Sequence, residues 1–185
     1  INPSQADCNY PFKALAGVGV AFKLAQALCE TANLSKEVLT RNLDLVAIGT
    51  VGDVVPLIDE NRTLVKFGLR ALNLSKRVGL KALLSEIGLK QGEISSQNIS
   101  FVIAPHINAA GRMGSASLAS RLILCDDEQR AKELAGQIKE ANSTRRSVQE
   151  KLFKSCLTDI SKEDVDKGYL LVELDDAHEG VTGIV

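Results

Sequence analysis

From Glu128 to about Ser161, apolar residues return at helical spacing for more than thirty residues. Ala131, Leu134, Ala135, Ile138, Val148, Leu152, Phe153 and Leu157 fall mostly on one stripe, and Asp126 or Asp127 is placed to cap the first turn. A helix of that length exceeds the globular norm and more often spans between two lobes than lies within one. Everything else in the chain has to be arranged around it. Upstream, helical patterns are predicted from Gly17 to about Asn33, from Ser35 towards Pro56, after Asp59-Glu60-Asn61, over Gly79–Ile87 and over Ser115–Leu124. Residues 1–16, with Pro3 and Pro11, read as an extended leading segment. Downstream, Tyr169-Leu170-Leu171-Val172 reads as a strand. The expectation is a mainly helical unit, a connector, and the first strand of a second, α/β unit. The chain starts at Ile1 without Met and stops inside an apolar element at Val185, as a fragment of a longer protein would.

Composition narrows the class. Aromatic residues make up 4% with no Trp, so the core must be aliphatic. A net charge of -1 argues against a wholly basic nucleic-acid coat but leaves room for a local patch. Between Asn61 and Lys90 seven bases (Arg62, Lys66, Arg70, Lys76, Arg77, Lys81, Lys90) face one acid, Glu86. Between Asp159 and Glu179 the balance reverses, with eight acids against Lys162 and Lys167. A basic face suits a phosphate backbone, although a solvated helix surface is the commoner meaning of such a run. No apolar run approaches the ~20 residues that cross a bilayer. Cys8, Cys29, Cys125 and Cys156 form no CxxC pair, so incidental thiols in a reducing, cytoplasmic setting are expected.

Three segments are candidates for chemistry. In Gly49–Leu57 the carboxylate of Asp53 interrupts a run apolar enough to be core. A buried carboxylate needs a cation, hydrogen bonds or a metal, whereas an Asp capping a helix ahead of Pro56 needs none of these. In Pro105–Gly114, Asn108 and Arg112 share a face if the segment is helical, and the small residues between them allow close approach. The Arg112 fork suits a phosphate or a structural acid equally. His106 has no neighbouring His or Cys and reads as a hydrogen-bonded residue. In Asp176–Val185, Gly180-Val181-Thr182-Gly183 could open a helix whose N-terminus receives an anion, with His178 in the turn. A plain strand-to-helix connection would look the same.

In order along the chain, Asn2-Pro3, Pro11-Phe12-Lys13, Leu15–Lys23, Leu43–Leu57, Glu60-Asn61-Arg62, Ile107–Arg112 and His178–Val185 resemble the RecJ family of single-strand-specific exonucleases, in the DHH phosphoesterase superfamily. The resemblance implies that residues 1–126 are the C-terminal part of a catalytic domain whose Asp-His-His signature lies before Ile1. Residues 127–161 would be the connecting helix, and 168–185 the start of a DHH-associated domain. It implies Asp53 as a metal ligand and catalytic residue, with Mn2+ or Mg2+ as the ion in a two-metal hydrolysis of phosphodiester bonds. Asn108, Arg112, His178 and Gly180 would be substrate-binding, with His178 also catalytic. Single-stranded DNA is the implied substrate, degraded 5′ to 3′ in repair and recombination. A single-strand-binding protein or a helicase is a further implied partner, and the full-length protein a monomer. Three positions depart from the family pattern: Gly52 for the usual Ala, His106 for a common Arg, and Ala177 for a frequent Trp. With no Asp-x-Asp or Asp-His-His in 185 residues, the chain alone is expected to be inactive. Competing readings are a phosphodiesterase for short oligonucleotides or cyclic dinucleotides, and a non-catalytic module that binds DNA or a replication protein.

Overall fold

The structure, a computed structural model, describes residues 1–158 and 177–185. After turns around Pro3 and Pro11, α1 (Gly17–Thr31) leads to α2 (Glu37–Gly52) and α3 (Asp59–Asn73), the latter two the most extensively packed pair among the described elements. α4 (Val78–Glu86) follows, then α5 (Ser96–Asn98), held by a reciprocal cap between Ser95 and Asn98. The backbone next winds as a π-helical segment, Ile99–Ile103, straight into α6 (Ala104–Met113). α7 (Ser117–Ile123), the long α8 (Glu128–Thr158) and a four-residue α9 (Glu179–Thr182) complete the described elements. The described residues contain no strand, and the strand expected over Tyr169–Val172 lies outside them. Among the described residues, no helix is long and apolar enough to cross a membrane.

The core is aliphatic, as the aromatic content requires. Leu72, Leu80, Leu83, Ile99, Ile103 and Leu122 are fully buried, in one cluster with Leu134 and Ile138 of α8. Each side chain removed from water in this way contributes roughly 1.5–3 kcal/mol before entropy is counted. A smaller cluster, Phe22, Val46 and Leu64, joins α1 to α2 and α3. Backbones touch where α4 crosses α7: a Cβ on Gly79 would lie 1.7 Å from the Leu122 carbonyl oxygen.

The long helix is two things in one. Its first half buries Ala131, Leu134, Ala135, Ile138 and Asn142 against α4, α6 and α7. Its second half leaves Phe153 and Leu157 about half exposed. The apolar stripe read from the sequence thus runs on past the core, and burial on α8 ends at Asn142. The reason is local, because the helices that cover the first half end before the second begins.

The π-helical segment also has a local cause. Pro105 has no N–H to give, and the Ala104 N–H reaches back to the Ile99 carbonyl, one residue further than in an α-helix. His106 turns its ring onto the same stretch, with Nδ1 donating to the Val102 carbonyl at 2.7 Å. Its Nδ1 is thereby committed to holding the helix entrance.

Candidate functional site

Asp53 stands directly after α2, where the helix stops. The sequence left burial and a helix cap ahead of Pro56 as alternatives, and Asp53 is exposed at the helix end, as a cap would be. Its N–H still bonds the Gly49 carbonyl at 3.0 Å, so it is a C-cap. The next residue, Val54, has φ +56° and is 83% exposed. A β-branched residue in the left-handed region costs about 1–2 kcal/mol, and such strain concentrates at functional sites. Asn61, fully buried on α3, fixes the loop from below. Its amide nitrogen donates to the carbonyls of Ala14 at 2.7 Å and Pro56 at 3.1 Å.

Asp53 and Asn108 line one groove of about 360 Å³, with Gly17, Gly49, Gly52 and Ala104. The small residues bring α2 and α6 close: a Cβ on Gly52 would lie 3.1 Å from that of Ala104. Asn108 is exposed on α6, and Arg112 follows one turn later, about 6 Å along the helix axis. The helical spacing expected from the sequence is what places these two residues on neighbouring turns.

Arg112 has no acid partner among the described residues. Its Nη1 instead donates to the Gly180 carbonyl at 3.0 Å. Gly180 sits so tightly on the end of α6 that a Cβ there would lie 2.1 Å from the Arg112 carbonyl oxygen. Val181 is fully buried behind it. His178 caps the short α9 by accepting the Gly180 N–H on Nδ1 at 3.1 Å. An accepting Nδ1 carries no proton, so the exposed ring presents Nε2–H outwards. The structure thus joins Asp53 to Asn108, and Arg112 to His178 and Gly180. α6 carries a member of each group. No hydrogen bond among the described residues links the two groups directly.

Sequence reasoning overlooked Arg145. It lies half-buried on α8, its Nε donating to Asn142 Oδ1 at 3.2 Å and its Nη1 to Gln149 Oε1 at 3.0 Å. Burial, then the positive charges of Arg146 and Arg112, push its guanidinium below the usual arginine range. The available signal was a polar residue, Asn142, at a position that the helical period makes core, three residues before a base.

Part of the basic run is used structurally. Arg77 pairs with the buried Asp44, and Lys90 pairs with Glu93. Arg62, Lys66 and Arg70 form an exposed stripe on α3, with Arg70 stacked over Phe67 at 5.6 Å. Among the described residues, no three His, Cys, Asp or Glu side chains converge as a metal site would require.

No family model matches the chain. Among curated proteins it is 40% identical over 185 residues to the single-stranded-DNA-specific exonuclease RecJ of Bacillus subtilis (strain 168), covering all of this chain and 23% of that protein. It is 37% identical over 199 aligned residues to RecJ of Escherichia coli (strain K12), covering 34% of it. Among solved structures, RecJ from Thermus thermophilus in complex with Mn2+ superposes with a TM-score of 0.84 at 36% identity, over 95% of this chain and 26% of that one. The same protein in complex with Mg2+ gives the same score and identity. The chain therefore spans about a quarter to a third of the curated relatives it matches.

Proposed function

We propose that this chain, which belongs to the RecJ family along all 185 residues, is a working part of a metal-dependent 5′-to-3′ exonuclease acting on single-stranded DNA in repair and recombination. The observation that carries the reading is the docking of the 178–182 turn on Arg112. It gathers Arg112, Gly180 and His178, three residues of two distant motifs, at one end of α6. In this reading residues 1–126 complete a DHH catalytic domain, residues 127–161 connect it onwards, and residues 168–185 begin the DHH-associated domain. The protein works in the cytoplasm, as a monomer at full length, with a single-strand-binding protein or a helicase as its partner.

The assignment of roles follows the chemistry of each group. The guanidinium of Arg112 is a donor fork for a DNA phosphate, and Asn108 offers an amide on the neighbouring turn. The outward Nε2–H of His178 adds a neutral donor beside it, His178 being placed to give up or receive a proton, and Gly180 ties the two together through its N–H to His178 and its carbonyl to Arg112. Asp53 is one carboxylate ligand for Mn2+ or Mg2+. The described residues alone do not fit such an ion, which takes about six oxygen donors, because Asp53 is a single exposed donor. Its co-ligands belong to the catalytic residues that the family carries elsewhere.

The test uses the full-length protein, with single strands labelled at either end. Mononucleotide release from the 5′ end that stops on Asp53→Asn, with strand binding retained, is the expected result. Equal turnover of duplex DNA, or activity untouched by Asp53→Asn, would overturn the reading. Preference for dinucleotides over long strands would favour the short-oligonucleotide phosphodiesterase instead.

A further inference from the structure

Arginines withdrawn from solvent are ordinarily matched by carboxylates, and this molecule follows that rule at the half-buried Arg77. At the meeting of α6, α8 and α9 it does not. Arg112 bonds a carbonyl, and Arg145 bonds two side-chain amides. Arg146 stands beside Arg145, where its charge also bears on Glu150, a carboxylate already bonded to Lys154 at 2.8 Å. Neither Arg112 nor Arg145 has an ion-pair partner among the described residues.

The arrangement around Arg145 is built. Asn142, 5% exposed in the middle of a helix, spends its oxygen on the guanidinium. Gln149 accepts from Arg145 through its oxygen and donates its nitrogen to the Ile184 carbonyl at 2.9 Å. The fork is thus held at two corners by neutral groups that orient it without cancelling its charge. Holding like charges together in a half-buried place is unfavourable unless an anion joins them. Arg145, Arg146, Gln149, Glu150 and Phe153 border a depression of about 290 Å³ on the same face of α8, where the Glu150 carboxylate is the one acid and is bonded to Lys154. Phe153, 51% exposed, offers a flat apolar ring next to the two guanidinium groups. Guanidinium beside exposed aromatic ring is the pairing that holds a phosphate and stacks a base.

We infer that Arg145, oriented by Asn142 and Gln149, is a second phosphate-binding residue beside Arg112, and that the depression leading to Phe153 receives a nucleotide of the bound strand. The inference rests on the single-stranded-DNA reading above and extends it to α8.

The experiment measures binding of oligothymidylate to the full-length protein in EDTA, so that no hydrolysis intervenes, across a range of salt concentrations. Arg145→Gln is expected to weaken binding about tenfold. It should also make the slope of log K against log salt shallower by about 0.7, the value of one phosphate contact on a single strand. Arg145→Lys should restore the slope but only part of the affinity, since it keeps charge and loses the fork. Phe153→Ala should weaken binding with the slope unchanged. A slope unchanged by Arg145→Gln, with the loss appearing in thermal stability and not rescued by Lys, would overturn the inference. Strands carrying a 5′-phosphate and strands carrying a 5′-hydroxyl separate the two sources of phosphate. An Arg145 effect on both identifies an internal phosphodiester, and an effect on the first alone a terminal phosphate. If the unaltered protein fails to bind oligothymidylate, the single-stranded-DNA reading itself falls. If it binds, and Arg112→Gln alone changes the slope, only the Arg145 inference does.

Discussion

Arg77 and Arg112 are both arginines anchored across helices, and their surroundings are opposite. Arg77 gives Nε to Asp44 Oδ2 at 3.0 Å, and Nη2 to Asn42 and to the Arg41 carbonyl. Asp44, 2% exposed, also accepts from Ser75 Oγ at 2.8 Å. Arg77 has its charge matched inside the protein and three of its five N–H donors used there, so the site is built to hold the fold. Arg112 is satisfied by one carbonyl and keeps both its charge and most of its donors. The difference teaches where to look: a basic residue matched by a carboxylate holds the fold, and one oriented by neutral groups is held for something else.

The comparison breaks first at Arg77. Arg77→Ala should cost about 3 kcal/mol or more in a urea melt, because it strands the buried Asp44 carboxylate. Binding of single strands by the surviving folded protein should not change. If Arg77→Ala instead melts like the parent, matched arginines are not the structural ones. Gly180→Ala comes next. A methyl 2.1 Å from the Arg112 carbonyl oxygen forces the 178–182 turn away from α6, at a local cost of about 2 kcal/mol. Hydrogen exchange should show the amides from Gly180 to Ile184 losing protection while those of α2 and α3 keep theirs. Uniform loss over the whole protein would mean that the turn is part of the core.

Arg112→Gln should leave the melting curve within about 1 kcal/mol of the parent while lowering single-strand affinity about tenfold. A large loss of stability with binding retained would class Arg112 with Arg77 and remove the contrast.

How far the sequence could foresee this depends on which force decides each feature. The helices were legible because period and capping are local: α1, α4 and α7 fall within about two residues of their expected ends. The half-exposed second half of α8 was not, since the same stripe serves a core or a partner surface and only the neighbouring helices decide which. At Asp53 the sequence offered two placements, since an apolar run predicts burial of whatever lies within it while an Asp ahead of Pro56 suits a helix end. The structure has the cap, with Val54 in a left-handed turn. The pairing of Arg112 with Gly180 joins residues 68 apart, which no spacing rule reaches. Arg145 was invisible among its charged neighbours until Asn142 proved to be buried.

The smallest expected effect tests matched charge at the surface. Tyr10 and Lys23 both contact Glu60, Tyr10 through its hydroxyl at 2.6 Å and Lys23 through Nζ at 2.5 Å. Burial alone would raise the Glu60 carboxyl, but the hydrogen bonds from Lys23 and then Tyr10 outweigh it and hold the group below the usual carboxylate range. A carboxyl depressed in the folded state adds stability above its unfolded pKa, and that stability is lost as pH falls through the folded value. Thermal stability should therefore decline between about pH 5 and about pH 3 more in the parent than in Glu60→Gln. Because the site is partly exposed, the difference should stay below about 1 kcal/mol and shrink in high salt. Tyr10→Phe should remove part of it, leaving Lys23 as the remaining cause. A pH profile identical in parent and Glu60→Gln would show that this cluster, although matched, does not hold the leading segment to α3. Matched charge would then mark a structural role only where it is buried, as it is at Arg77.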